Sequence, residues 1–138
     1  GRSMSLVSNI LRQHRVFAVV GVSQDPAKYG REVFESLLAK GYTAYPINPK
    51  YEEIDGQPCY ASLDELPQKP EVVVTVVPPG VTEQVVRSCA RLDISTVWMP
   101  PGSWSEEAIA ICEAHGIEEV HDICLVFALR STGVSAGD

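Results

Sequence analysis

A chain of 138 residues, 45% hydrophobic and 21% charged, is long enough for one domain around one core and too apolar for wholesale disorder. Its net charge of −7 argues against nucleic acid, whose phosphates call for a basic surface, but not against a phosphorylated small ligand held by backbone N–H groups. No apolar run approaches the ~20 residues of a membrane span, and no basic, then apolar, then small-residue order marks a secretion signal.

Gly1, Arg2 and Ser3 ahead of Met4 read as a cloning remnant, and residues 1–11 as a lead-in outside the fold. Val16 to Val20 is a β-branched and aromatic run ending at Gly21, the pattern of a strand buried on both faces. Glu32 to Lys40 has helical spacing, with Val33, Leu37 and Leu38 on one face and Gly41 as the stop. Thr43 to Ile47 is a second strand, closed by Asn48-Pro49. A polar stretch, Lys50 to Pro70, follows, with a turn at Gly56-Gln57-Pro58 and a short helical turn over Ser62 to Leu66.

Val72 to Val77 is the third strand, cut off by Pro78-Pro79-Gly80. Val81, Val85, Val86, Cys89 and Leu92 predict a helix over 81–92. Ser95 to Met99 is a fourth strand, ended by Pro100-Pro101-Gly102. Ser103 and Glu106 have capping-box spacing for a helix through His115, and Ile117 to Val120 is a fifth strand. Repeated β-α units of this length predict a single-domain α/β fold: a doubly wound, five-stranded parallel, Rossmann-like sheet over residues 12–130. Residues 131–138 read as a flexible tail.

Four cysteines, Cys59, Cys89, Cys112 and Cys124, lie far apart without a C-x-x-C pair, so neither a metal nor a disulfide framework is indicated. Cys89 and Cys112 fall on apolar helical faces. Reduced core thiols point to the cytoplasm.

Ligands of open parallel sheets bind beyond the carboxyl ends of the strands, where strand order reverses. That rule selects Gly21-Val22-Ser23, Asn48-Pro49-Lys50, Pro78-Pro79-Gly80 and Met99-Pro100-Pro101-Gly102. A dinucleotide fingerprint needs G-x-G-x-x-G, but no second glycine follows Gly21 until Gly30. An acid at the end of strand two is also missing, which sets NAD aside, and no Gly-Lys-Ser/Thr of a Walker loop occurs. The looser loop from Ser23 to Gly30 leads into a helix whose first amides can cradle a phosphate, with Lys28 as a candidate cation.

The set GVS-(x)4-KYG, YPINPKYEEIDGQPCYASLDELP, VVPP and VWMPPG resembles the small CoA-binding proteins, relatives of the CoA-binding domain of the succinyl-CoA synthetase α subunit. The resemblance covers roughly residues 12 to 130 and implies a five-stranded parallel Rossmann-like sheet that binds coenzyme A or an acyl-CoA. It places Gly21, Val22 and Ser23 against the pyrophosphate through backbone, with Lys28, Tyr29 and Gly30 beside it. Asn48, Pro49 and Lys50 border the adenosine and its 3′-phosphate. Val77, Pro78 and Pro79 wall the adenine or ribose with Val81 behind, and Met99 and Pro100 face the pantetheine path.

Two departures stand out: Pro100 occupies a position where the family usually has Gln, and the stretch around Cys124 is strongly apolar where the family is polar and charged. No catalytic constellation emerges. His14 precedes strand one on the far edge, His115 sits in a helix C-terminal turn, and His121-Asp122 has no Ser or Cys fixed beside it. The phosphohistidine segment of the synthetase lies beyond this domain. Cys124 reads either as a thiol facing that of CoA or as a buried thiol in an apolar strand. Trp98, Trp104, Leu125, Val126, Phe127 and Leu129 offer a different class of function. If Trp104, Leu125 and Phe127 are exposed, they form an apolar surface for a homodimer or a protein partner, on a module whose nucleotide site is weakened or lost.

Overall fold

The structure is a computed structural model that describes residues 2–138, so the reading of Gly1 as a remnant lies outside it. In chain order the elements are α1 (Arg2–Gln13), β1 (Val16–Val20), α2 (Tyr29–Ala39), β2 (Thr43–Ile47), β3 (Glu53–Ile54), β4 (Gln57–Pro58), a 3-10 turn (Leu63–Glu65), β5 (Val72–Thr75), α3 (Pro79–Arg91), β6 (Thr96–Met99), α4 (Glu106–Ala114), β7 (Glu118–His121) and α5 (Leu125–Thr132).

Five strands form one parallel sheet in the order β2-β1-β5-β6-β7, and β3 and β4 form a small antiparallel hairpin beside it. Alternate residues of the strands feed two cores. Phe17, Val19, Val72, Val74 and Trp98 face α1, α2 and α5, while Ala18, Val20, Val73, Val97 and Met99 face α3 and α4. Apolar residues on both strand faces are what a parallel sheet covered on two sides requires. The order is that of a doubly wound fold, and it reverses between β1 and β5.

The lead-in is part of this architecture. Val7, Ile10 and Leu11 of α1 are at most 1% exposed, and the Tyr42 hydroxyl donates to Leu11 O at 2.6 Å. At the other end Val134 is buried in the same core, and Ala136 N donates to Lys40 O at 2.9 Å. The packed unit therefore extends on both sides of the expected 12–130.

Other boundaries shift for local reasons. Helix α2 begins at Tyr29 rather than Glu32, because Lys28 is already extended (φ −80, ψ 146) and the Asp25–Lys28 turn delivers the chain in helical register. In the hairpin the turn is Asp55-Gly56, both at positive φ, so Gln57-Pro58 belongs to a strand. Helix α4 is capped by Ser105, whose hydroxyl oxygen accepts from Ala108 N at 3.0 Å, and not by Ser103. Ser103 is instead buried, its hydroxyl donating to Pro100 O and lying 3.1 Å from the Thr75 hydroxyl.

The C-terminal apolar stretch is a helix, α5, not a strand. Leu125, Val126, Ala128 and Leu129 are core residues, as is Trp98, and of that stretch Phe127 stays exposed (59%). Trp104 is half-buried against the α3–α4 core and the His121 ring. The contiguous apolar surface expected there for a homodimer or partner is therefore absent, because most of its residues are turned inward.

Candidate functional site

The reversal between β1 and β5 brings together most of the residues selected from sequence. Beyond β1 the chain turns at Gly21 (φ +100), where a Cβ would overlap the Val76 carbonyl oxygen just past β5. Gly30, in the first turn of α2, faces the same turn from the other side, and a Cβ there would overlap the Gly21 carbonyl oxygen. Two glycines thus let the β1 turn, the end of β5 and the start of α2 approach to backbone contact. In this fold class one glycine serves the tight turn and another the close helix–strand packing, and Gly21 and Gly30 fill those roles.

Between them the loop is held by its own side chains. Ser23 Oγ accepts from Asp25 N (3.0 Å), and Asp25 Oδ1 accepts from Ala27 N (2.9 Å). Arg31, 8% exposed, donates from Nη1 to Gln24 O and from Nε to Glu35, and reaches Asp55 at 3.7 Å. Gln24 Nε2 donates to Glu53 O, so loop and hairpin are tied twice. The sequence reading passed over Arg31. Its signal was a cation next to Gly30, four residues before Glu35, a spacing that pairs charges on one helix.

The helix ends differ in a way that marks the site. Helices α4 and α5 are capped by Ser105 Oγ and Cys124 Sγ, whereas α2 and α3 have no side-chain cap. The uncapped pair are those that follow β1 and β5, on either side of the reversal. Among the described residues the amides of Ser23 and Gln24 also have no intramolecular acceptor. An uncapped N-terminus carries unpaired N–H groups and roughly half a positive charge, an anion site without basic side chains.

Around this centre lie two depressions. Toward β2 and the hairpin, a cleft of about 790 Å³ is lined by Gln24, Lys50, Tyr51, Glu52, Glu53, Gly56 and Pro58. Toward β6, a smaller one of about 370 Å³ is lined by Val76, Val77, Pro78, Pro79, Pro100, Pro101, Gly102 and Ser103. A groove of about 530 Å³ between α3 and α4, lined by Arg87, Ala90, Ile111 and Ala114 among others, contains none of the predicted residues.

The individual placements are mixed. Gly21, Ser23, Lys28, Gly30, Lys50, Val77, Pro78, Pro79 and Pro100 lie on the turns that form the centre and its two depressions, and Lys28, Pro49 and Lys50 are exposed. Val81, 41% exposed, stands in the first turn of α3. Val22 is fully buried, and its backbone is bonded within the protein, its N–H to Ile47 O and its carbonyl to the Asn48 amide. Met99 does not point to the cleft: it is fully buried in the α3–α4 core, and its carbonyl accepts from Asp122 N. Tyr29 is directed toward α5, its hydroxyl donating to Cys124 Sγ at 3.1 Å, and burial above all raises its pKa. The Asn48 side chain is bonded within the protein, to Val22 O and Lys50 N.

The histidines lie elsewhere. His14 contacts Glu71 at 3.3 Å on the opposite edge of the sheet, His115 caps α4, and His121 pairs with Glu119 at 2.8 Å beside Trp104. All four cysteines are free. Burial pushes Cys89 and Cys112 up to about 12 and also raises Cys59, while Cys124 is half-buried at the start of α5 rather than in a strand. Among the described residues no group of three or more His, Cys, Asp or Glu side chains is placed to hold a metal ion, and no helix is long and apolar enough to cross a membrane.

A doubly wound sheet with uncapped helices at its reversal is the architecture of proteins that hold nucleotide phosphates. The family model described as CoA binding domain matches residues 15–130, and the chain belongs to that family. It is 30% identical to acetate–CoA ligase [ADP-forming] I of Archaeoglobus fulgidus over 121 residues, which is 80% of this chain but 18% of the ligase. It therefore spans under a fifth of that relative's length. The Bacillus subtilis protein YneT matches end to end, 28% identical over 91% of this chain and 93% of its own. A solved structure of a hypothetical protein from Pyrococcus horikoshii OT3 superposes with a TM-score of 0.90 at 31% identity, covering 94% of this chain and 91% of the other.

Proposed function

We propose that this chain binds coenzyme A or an acyl-CoA through its nucleotide end, at the carboxyl edge between β1 and β5, and contributes no catalytic group of its own. The observation that carries the reading is the uncapped α2 N-terminus at the Gly21–Gly30 contact, in a chain of the CoA-binding-domain family. The pyrophosphate sits against the Ser23 and Gln24 amides and the first turn of α2, with Lys28 alongside. Sheet order supports a direction for the rest of the ligand. The β2 side, with Lys50 exposed, takes the adenosine 3′-phosphate, Val77, Pro78 and Pro79 wall the adenine or ribose, and Pro100 toward β6 faces the pantetheine arm.

The case against catalysis is positional, since His14 is at the far edge, His115 ends α4 and His121 stands at β7, two strands from the reversal. The acetate–CoA ligases are several times longer than this domain. Four free thiols support a cytoplasmic location.

Calorimetric titration with CoA and 3′-dephospho-CoA tests the proposal. CoA binds to the wild type, Ser23→Ala and Lys28→Ala each weaken it by about three- to tenfold, and His14→Ala leaves it unchanged. No heat with either ligand at about millimolar concentration removes the proposal.

A further inference from the structure

We infer that Asn48 is a positioning residue: it fastens the loop after β1 to the loop after β2, so that the phosphate-facing and adenosine-facing segments move as one unit. Its backbone and side chain together join three segments. Nδ2 donates to Val22 O at 2.9 Å, and Oδ1 accepts from Lys50 N at 3.0 Å. Asn48 N donates to Tyr60 O at 2.9 Å, and Asn48 O accepts from Tyr51 N at 3.3 Å and from the Cys59 thiol at 3.7 Å. One residue earlier, Ile47 O accepts from both Gly21 N (2.8 Å) and Val22 N (3.4 Å).

The peptide that Nδ2 grips is the one preceding Ser23. Fixing the Val22 carbonyl fixes the plane of that peptide, and with it the direction of the Ser23 N–H. The same side chain, through Oδ1, sets the backbone of Lys50. A ligand that bridges the β1 and β2 edges therefore meets two surfaces already in register, and the ordering cost is met during folding rather than on binding. An aspartate keeps the shape and the acceptor for Lys50 N but sets a carboxylate oxygen against the Val22 carbonyl, and an alanine loses both bonds.

The affinity part of this inference rests on the CoA reading, and a second measurement does not. In Asn48→Ala and Asn48→Asp the dissociation constants for CoA and for 3′-dephospho-CoA rise together, by about tenfold. Lys50→Ala weakens CoA alone, since it loses a contact to the 3′-phosphate. A loss in the Asn48 variants confined to CoA, or wild-type affinity in Asn48→Asp, overturns the inference. In the ligand-free protein, amide hydrogen exchange over residues 21–28 becomes about tenfold faster in Asn48→Ala while that of β5 is unchanged. Unaltered exchange in the loop overturns the inference even if the wild type binds no CoA. Absent CoA binding with faster exchange overturns the function proposed above and leaves the coupling of the two loops standing.

Discussion

Three glycines near the reversal carry different burdens. Gly30 has ordinary helical backbone, yet an added methyl has nowhere to go except into the Gly21 carbonyl oxygen. Gly30→Ala is expected to destabilise the protein by about 1–3 kcal/mol, as overpacking against backbone does. Gly21→Ala costs at least as much, because its φ of +100 adds strain to the overlap with Val76 O. Gly80, in the first turn of α3, has nothing within 4 Å of a built Cβ, so Gly80→Ala is neutral or stabilising by up to about 1 kcal/mol. Urea unfolding of the three variants checks the order, and equal effects at Gly30 and Gly80 would contradict it. At this scale the sequence was informative about backbone and poor about side chains. The spacing of Gly21 and Gly30 was enough to set the dinucleotide fingerprint aside. Nothing in the order of residues, however, announced that Met99 points away from the edge, that Tyr29 reaches Cys124, or that the Asn48 amide has partners 26 residues away.

Among elements, α1 was left out of the sequence reading although its signal was present. Met4, Val7, Ile10 and Leu11 recur at three and four residues, the stripe of a helix that packs on a core. In the fold α1 covers the same face of the sheet as α5, with Leu11 fully buried and its carbonyl held by Tyr42. Leu11→Ala is expected to cost about 2–5 kcal/mol, measured by chemical denaturation, and a cost below about 1 kcal/mol would place α1 outside the cooperative unit. The α5 misreading has a plainer cause. Leu125 to Leu129 is apolar at all five positions, and periodicity alone cannot separate a short buried helix from a buried strand. The β1, β2 and β6 strands were legible because β-branched runs ended close to Gly or Pro, and the α3 helix because its apolar spacing began at Pro78-Pro79-Gly80. The hairpin was missed because two-residue strands have no period to detect.

For the molecule as a whole, acid stability traces to the edge opposite the site. Glu71 Oε1 accepts from Arg15 N (2.8 Å) and Val16 N (3.0 Å), closing the start of β1 onto the start of β5, while Oε2 meets His14. Burial alone would raise this carboxyl, but the two amides and His14 outweigh it and hold it below the usual range. Since the folded value lies below that of the unfolded chain, about 4.3, the contribution is complete above that pH and is lost as pH falls through the folded value. Urea midpoints of the wild type should therefore drop between about pH 5 and about pH 3 more steeply than those of Glu71→Gln. Parallel slopes would assign the acid limb to other carboxylates. The doubly wound architecture was readable from composition and alternation, because each β-α unit repeats the same pattern. The position of the reversal was not, since strand order depends on contacts between residues far apart in sequence.

The last residues of the chain settle beneath the sheet, where Ala136 N meets Lys40 O and Gly137 lies beside Arg15. Asp138 thus emerges on the side of the molecule opposite the uncapped helices. A protein fixed to a sensor chip or a bead through that residue presents the edge proposed to bind CoA to the solution. A loss of capture on tethering through Asp138 would then reflect the linker or the matrix rather than a blocked cleft.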